Sequence, residues 1–321
     1  MDKQVTFSSL EYNKPTKMRT FLEEMDRIVP WQTLIDEIKP FYYNNVRGRK
    51  PIELEIMLRM YLLQNWYNFS DVATEESIYN IVPMKDFMKL DFFRDSVPDA
   101  TTLLHFRRLL EKNNLCEKMF NRINKIMEEN GKLLHEGTVV DASIIEAPTS
   151  TKNKDGKRDE EMHSTKKGTQ WHFGMKTHIG IDSESGMVHS VTATAANVND
   201  ICEAHKLIRT GDKVVYGDAG YLGIEKRKEI KNDECLNKKK YEICKRPGTV
   251  KQMNGNPDLT EEREQEYQKS KKRCRVEHSF QILKCLFRFR KVCYKGIAKN
   301  LNKLFILFAS VNLVKYARSI R

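Results

Sequence analysis

The sequence predicts an all-α N-terminal domain followed by an α/β domain built on a mixed five-stranded sheet with helices. Two observations carry this. Up to about residue 130 the apolar residues recur at helical spacing between capping residues, and from Gly137 onward β-branched runs alternate with amphipathic stretches. A chain of 321 residues and 37.7 kDa has the length of about two domains. The change of pattern divides it into 1–132 and 133–321.

In the first region Pro51 can open a helix that carries Ile52, Leu54, Met57, Leu58, Tyr61 and Leu62 on its apolar positions. Asn68-Phe-Ser-Asp71 breaks it, and Ser70 or Asp71 can cap the next helix. Asp99 can cap a helix carrying Leu103, Leu104, Phe106, Leu109 and Leu110. Short helices with tight turns are compatible with a helix-turn-helix arrangement, although spacing alone does not show DNA binding. The basic cluster Arg47-Gly-Arg49-Lys50 reads equally well as a phosphate contact and as a solvated loop.

In the second region Thr138–Ile145 reads as a buried strand. Residues 149–169 hold six Lys/Arg and four Asp/Glu with almost no large apolar side chain, and read as a mobile polar loop. Trp171–Ile181 and Met187–Thr194 form a hairpin turned at Glu184-Ser-Gly186, and Asn199 or Asp200 caps a helix through Ile208. Lys213–Asp218 is a fourth strand, a helix follows from about Leu222 to Ile230, and Tyr241–Lys245 is a fifth strand. A polar insertion near 246–262 precedes a long helix from about Glu261 to Phe287 and a last helix from about Asn300 to Arg318.

Lys and Arg number 56 against 44 Asp and Glu, a net charge of +12, with a pI near 9.2. Such an excess points to a polyanionic partner, since lysine and arginine release the counterions condensed on phosphates. A charged fraction of 31% excludes a collagen, a mucin or a multispan membrane protein. The seven cysteines are odd in number and contain no CxxC pair, which argues against a disulfide framework or a ribbon-type zinc site and for a reducing cytosol. Cys274 and His278 can share a helix face, but structural zinc needs four ligands. The first 17 residues carry no apolar signal-peptide core. The most apolar stretch, Leu304–Val314, falls short of the about 20 residues that cross a bilayer and reads as a buried helix.

Three carboxylates stand where chemistry is possible. Asp141 lies inside the first strand, Asp218 ends the fourth, and Glu277 lies in the long helix. If the first and fourth strands are neighbours, the aspartates sit side by side, and a helix against that edge can add Glu277. An acid on a buried strand is costly unless it is paired or binds a cation. Three carboxylates together suit a hard divalent ion such as Mg²⁺, which prefers oxygen ligands and keeps positions open for phosphate. Residues 266–295 hold ten Lys/Arg and two acids, one of them Glu277. Arg273 and Lys284, four residues before and seven after it, lie close to its helix face. Taken alone, each residue also fits an ordinary cap, loop or i,i+4 ion pair.

The ordered set of motifs resembles the bacterial insertion-sequence transposases of the insertion-sequence-five family, within the insertion-sequence-four-like DDE group. The resemblance rests on Ile28-Val-Pro-Trp31, Arg47-Gly-Arg-Lys-Pro51, Met57–Tyr67 and Pro98-Asp-Ala-Thr-Thr102. It continues through Asp141-Ala-Ser-Ile-Ile-Glu-Ala-Pro148, Ser150–Arg158, Gly174–Gly180, Gly217-Asp-Ala-Gly-Tyr221, Glu277-His278 and Tyr294–Asn300. It implies an RNase H-like catalytic fold with Asp141, Asp218 and Glu277 as a DDE triad, separated by 77 and 59 residues. It also implies Mg²⁺ (or Mn²⁺) as cofactor, and DNA as partner, both the element's inverted repeats and the target. A homodimer or higher assembly on DNA, cytoplasmic and nucleoid-associated when bound, follows from the same likeness. The family pattern of Tyr, Arg, Glu and Lys is met by Arg273, Glu277 and Lys284, while Ser270 stands at the tyrosine position. Lys166, Lys167, Arg107 and Arg108 join Arg273, Lys284, Arg47, Arg49 and Lys50 as expected contacts to DNA. A nuclease that only hydrolyses, and a DNA-binding relative without activity, are the alternatives.

Overall fold

The computed structural model describes residues 15–42, 51–90, 95–154, 156–253 and 257–320. It divides into two compact units, Met1–Met119 with Leu313–Arg321, and Phe120–Asn312.

The first unit is helical among its described residues. Its helices are α1 (Lys17–Ile28), α2 (Trp31–Tyr42), α3 (Leu54–Tyr67), α4 (Asp71–Asn80), α5 (Val82–Met88) and α6 (Ala100–Lys112), and α7 (Leu115–Glu129) starts within it. The caps are local: Thr16, Ser70 and Asp99 side chains accept from the N–H of Arg19, Ala73 and Thr102. The helix expected from Pro51 begins instead at Leu54, because Glu53 takes the cap position. α3 is apolar nearly all round and buries Met57, Leu58, Met60, Tyr61, Leu62, Leu63 and Trp66. It also buries Arg59, whose guanidinium bonds Glu55, Asp26 and the Phe87 carbonyl and lies 4.0 Å from the Trp31 ring centre.

The second unit carries a mixed sheet of β1 (Gly137–Glu146), β2 (His163–Lys167), β3 (Gln170–Asp182), β4 (Val188–Ala195), β5 (Val214–Gly217) and β6 (Lys240–Ile243). The order is β2-β3-β1-β5-β6, with β4 also paired to β3. β3 is antiparallel to β1, β2 and β4, whereas β1–β5 and β5–β6 are parallel. The sheet therefore has six strands rather than five. The extra one, β2, forms inside the segment read as a mobile loop. A two-residue turn opened by Gly168 in the left-handed region (φ 61°) folds Lys166 against Trp171 and Lys167 against Gln170. The rest of that segment is tied down as well. Asp159 and Glu161 accept from the backbone N–H of Gly296 and Ile297 at the start of α14 (Ile297–Ser319), where carboxylates favour the helix N-terminus.

One face of the sheet packs Val140, Val215 and Ile243 against Ala204 and Leu207 of α8 (Asp200–Leu207) and against Ile224, Ile230 and Leu236. The helix expected over 222–230 is not continuous. Residues 219–237 form two 3₁₀ turns and the short helices α9 (Lys228–Lys231) and α10 (Glu234–Asn237), since Gly223 in the left-handed region breaks the run. The insertion near 246–262 holds α11 (Pro247–Gln252). The long helix is two, α12 (Thr260–Arg273) and α13 (Arg275–Gln281), broken at Cys274 and ending in a π turn over Ile282–Leu286. Helix α14 has the length and apolarity of a membrane span, yet 72% of that window is buried inside the structure.

Candidate active site

The parallel pairing of β1 with β5 sets Val139 against Tyr216. Continued by two residues, this register brings Asp141 level with Asp218 just past the end of β5. Each aspartate has one oxygen held by backbone: Asp141 Oδ1 accepts from Ala142 N at 2.8 Å, and Asp218 Oδ1 accepts from Gly220 N at 2.9 Å. Beyond Asp141, β1 runs on without β5, and α13 with its π turn lies along this stretch. Lys284 Nζ, in that π turn, donates to the Ile144 carbonyl at 2.8 Å. Glu277, Ser143, Ile144, Lys284, Arg290, His172 and Lys167 line one cavity of about 600 Å³. A second, of about 660 Å³, is lined by Asp218, Cys244, Ser270, Tyr267 and Arg273.

Arg273 links the carboxylates. Its Nη2 donates to Glu277 Oε1 at 2.6 Å, and its Nη1 lies 4.0 Å from Asp141 Oδ2. Among the described residues no set of three or more His, Cys, Asp or Glu side chains converges as a ready metal site. Glu277 is held by an arginine instead. The aspartate pair nonetheless has the character of a cation site. Burial first, then the neighbouring Asp218 and Asp200 charges, push the Asp141 carboxyl up to about 7, against the Ala142 bond and Arg273. A half-buried carboxylate beside a second one asks for a positive charge, and an all-oxygen donor set matches a hard divalent ion. The oxygen donors of Asp141 and Asp218 suit such an ion, while Glu277 is held by Arg273.

Two expectations follow. In metal-free protein the folded chain holds the Asp141 proton to about pH 7, whereas the unfolded chain releases it near 3.8. The folded state binds more protons in that window, so stability falls as pH rises through it, by up to about 1.4 kcal/mol per unit, and levels off above it. Thermal melts in EDTA across the window give this slope in the wild type and lose its Asp141 part in Asp141→Asn; equal slopes in both would contradict the assignment. Separately, Arg273→Gln removes a cation standing a few ångströms from the incoming charge and frees Glu277. Coulomb repulsion on this scale corresponds to about ten-fold tighter Mn²⁺ binding without DNA. Electron paramagnetic resonance titration measures it, and unchanged affinity would contradict the geometry.

The remaining expected DNA contacts separate. Arg108, Lys166 and Lys167 are accessible, Lys166 and Lys167 on β2. Lys284 is half-buried; burial, then Lys167 and Arg290, lower its proton affinity, so three cations share that end of the cavity. Arg107 does not fit the expectation. Its side chain is buried, with Nη1 and Nη2 bonded to Asp71 at 2.5 and 3.0 Å and Nη1 to Gln64 at 3.3 Å, because a guanidinium inside a helical core needs a carboxylate partner. Arg47, Arg49 and Lys50 lie outside the described residues. At the family's tyrosine position Ser270 lines the cavity beside Tyr267, one helical turn earlier and 60% exposed, which supplies an aromatic ring there.

Several site residues were not singled out from sequence. Asp200, read only as a helix cap, lies 2.9 Å from Lys176 Nζ and acts on Asp141. The Tyr221 hydroxyl is buried without a hydrogen-bond partner, and burial with Asp141, Asp200 and Asp218 keeps it protonated. Arg290 and His172 reach the Glu277 cavity. Gly217-Asp-Ala-Gly-Tyr221 was the available signal for Tyr221; nothing local marked Arg290.

A family model described as transposase DDE domain matches residues 132–313, more than half of the chain. The chain belongs to the transposase DDE domain family. A second model, transposase domain (DUF772), matches residues 9–109, over much of the helical first unit. No solved structure matches. DDE transposase domains generally use a divalent metal, in keeping with the donor set at Asp141 and Asp218.

Proposed function

We propose that the chain is the transposase of an insertion sequence of the insertion-sequence-five family, with an RNase H-like catalytic domain at 133–321 and a helical DNA-binding domain at 1–132. It binds the element's terminal inverted repeats, cleaves at the boundary to free a 3′-OH, and directs that 3′-OH at target DNA. The observation that carries the reading is the alignment of Asp141 with Asp218 at the end of a parallel strand pair, with Glu277 one arginine away.

Asp141, Asp218 and Glu277 would hold Mg²⁺, with Mn²⁺ as a substitute. The ion, when bound, supplies charge stabilisation for an in-line displacement at phosphorus. The chain's own groups do the placing. The backbone bonds to Asp141 and Asp218 fix one oxygen of each, leaving the other to face the reaction. Arg273, moved from Glu277, and Lys284 meet phosphates, and Lys166, Lys167 and Arg108 add backbone contacts that give affinity rather than sequence choice. Two ends must be processed together, which favours a homodimer or larger assembly on DNA, in the bacterial cytoplasm and on the nucleoid.

The test is incubation of the purified chain with labelled DNA spanning the element boundary and Mg²⁺. Nicking at the boundary that leaves a polymerase-extendable 3′-OH, and that disappears in Glu277→Gln or with chelator, is the expected result. Boundary nicking without later joining would favour a hydrolytic nuclease. Specific binding without nicking would leave a DNA-binding relative that has lost activity.

A further inference from the structure

We infer that the β2–β3 hairpin is an arm that grips the DNA being cut about 8 base pairs from the catalytic aspartates, through Trp171 and Lys166. This rests on the transposase reading and adds to it a second contact surface with its own distance.

The hairpin does not behave as part of the core. Its strand β2 is exposed at four of five positions, and Trp171 is 71% exposed, more than any other large apolar side chain among the described residues. A lone exposed indole is ordinary on a protein surface; what sets Trp171 apart is the lysine directly opposite it on the hairpin. Alternation along the strands gives the hairpin two faces. Lys167 and His172 fall on one, and line the cavity that holds Glu277, Lys284 and Arg290. Lys166 and Trp171 are cross-strand partners on the other. Phe173 shares that second face, and the Arg158 guanidinium lies 5.4 Å from its ring centre. Arg158 thereby adds a cation to the face that carries the indole. Two acids of its segment, Asp159 and Glu161, are drawn to the start of α14, while exposed Glu160 lies 3.9 Å from Lys157. Lys166 and Arg158 thus put two cations on the face that carries the Trp171 and Phe173 rings, and the complement of such a face is a phosphate backbone.

The distance follows from the strand. Ile179 of β3 stands opposite Asp141, and Trp171 is eight residues further along. At about 3.3 Å per residue this is roughly 26 Å, or about 8 base pairs at 3.4 Å each. The cavity along this stretch is lined by the cations Lys284, Arg290 and Lys167, with Glu146 bonded to His172 and Glu277 to Arg273. The occupant is therefore the duplex that carries the scissile phosphate.

Hydroxyl-radical footprinting tests this on a duplex made of the element end and its flank, with Ca²⁺ in place of Mg²⁺ to hold the complex uncut. Wild type should protect the boundary and a separate patch about 8 base pairs away. Trp171→Ala combined with Lys166→Ala should lose the distal patch, keep the boundary protection, bind about ten-fold more weakly, and show a salt dependence smaller by about one counterion. Both side chains are exposed, so melting curves should be unchanged. An unaltered distal patch in the variant would overturn the arm and leave the transposase reading standing. A distal patch seen only on the target arm of a strand-joined product would overturn it too, because the partner would then be the wrong DNA. A wild-type chain that protects nothing on this duplex would overturn both readings.

Discussion

Asp141→Asn is expected to cripple strand cleavage while raising the melting temperature of the metal-free protein. The two effects have one cause. Asp141 is embedded in β1, with a second carboxylate at the end of the adjoining strand, and burial drives its carboxyl up to about 7. At pH 8 the folded chain carries a desolvated charge that it holds less comfortably than the unfolded chain does, and an amide of the same shape removes that strain. The same charge is what a divalent ion needs. Its loss should lower the cleavage rate at least about 10³-fold, equivalent to about 4 kcal/mol of transition-state stabilisation. A gel-based cleavage assay and a thermal melt on one preparation measure both. A variant that is inactive and also less stable would mean that Asp141 is structural; one that still cleaves would remove it from the site.

Arg209→Ala is expected to have the largest effect on stability, at the end of the sheet away from the carboxylates. Asp182 and Asp212 have no exposed side-chain surface, and Arg209 bonds both, at 3.2 and 2.6 Å, and also the Leu134 carbonyl. Thr138 of β1 donates to Asp212, so the cluster clamps the starts of β1 and β5 with the end of β3. Removing the guanidinium strands two buried charges, a change of about 3–5 kcal/mol. In a unit of this size that lowers the melting temperature by roughly 10 °C. Scanning calorimetry measures it. A shift under about 2 °C would show that water or another cation satisfies both aspartates.

Much of this was legible in the sequence because it is local. Ser70 and Asp99 cap the helices they stand before, Thr138–Ile145 is a strand because β-branched residues crowd it, and Asp141 stands out because an acid in such a run needs a reason. The misreadings have a common origin in tertiary contacts. β2 was missed because His163-Ser-Thr-Lys-Lys167 has no apolar side to announce a strand, and only pairing with the longer β3 makes it one. Arg107 was placed on DNA because a basic residue in a helix looks accessible until Asp71 is seen to cover it. The unbroken helix from Glu261 failed at Cys274, where the chain must turn to run Glu277 and Lys284 along β1. Arg273 and Glu277 looked like an ordinary i,i+4 pair, and the structure retains that pair. The proximity of Asp141 to the same guanidinium is what no spacing could give.

The central claim is tested most directly by strand joining. Purified protein, Mg²⁺, a labelled element end already carrying its 3′-OH, and a supercoiled plasmid are combined. The account predicts covalent attachment of the labelled 3′ end to the plasmid, lost in Asp141→Asn, Asp218→Asn and Glu277→Gln alike. Joining that survives any one of those substitutions, or an end that is bound specifically and never joined with any divalent cation, would contradict it.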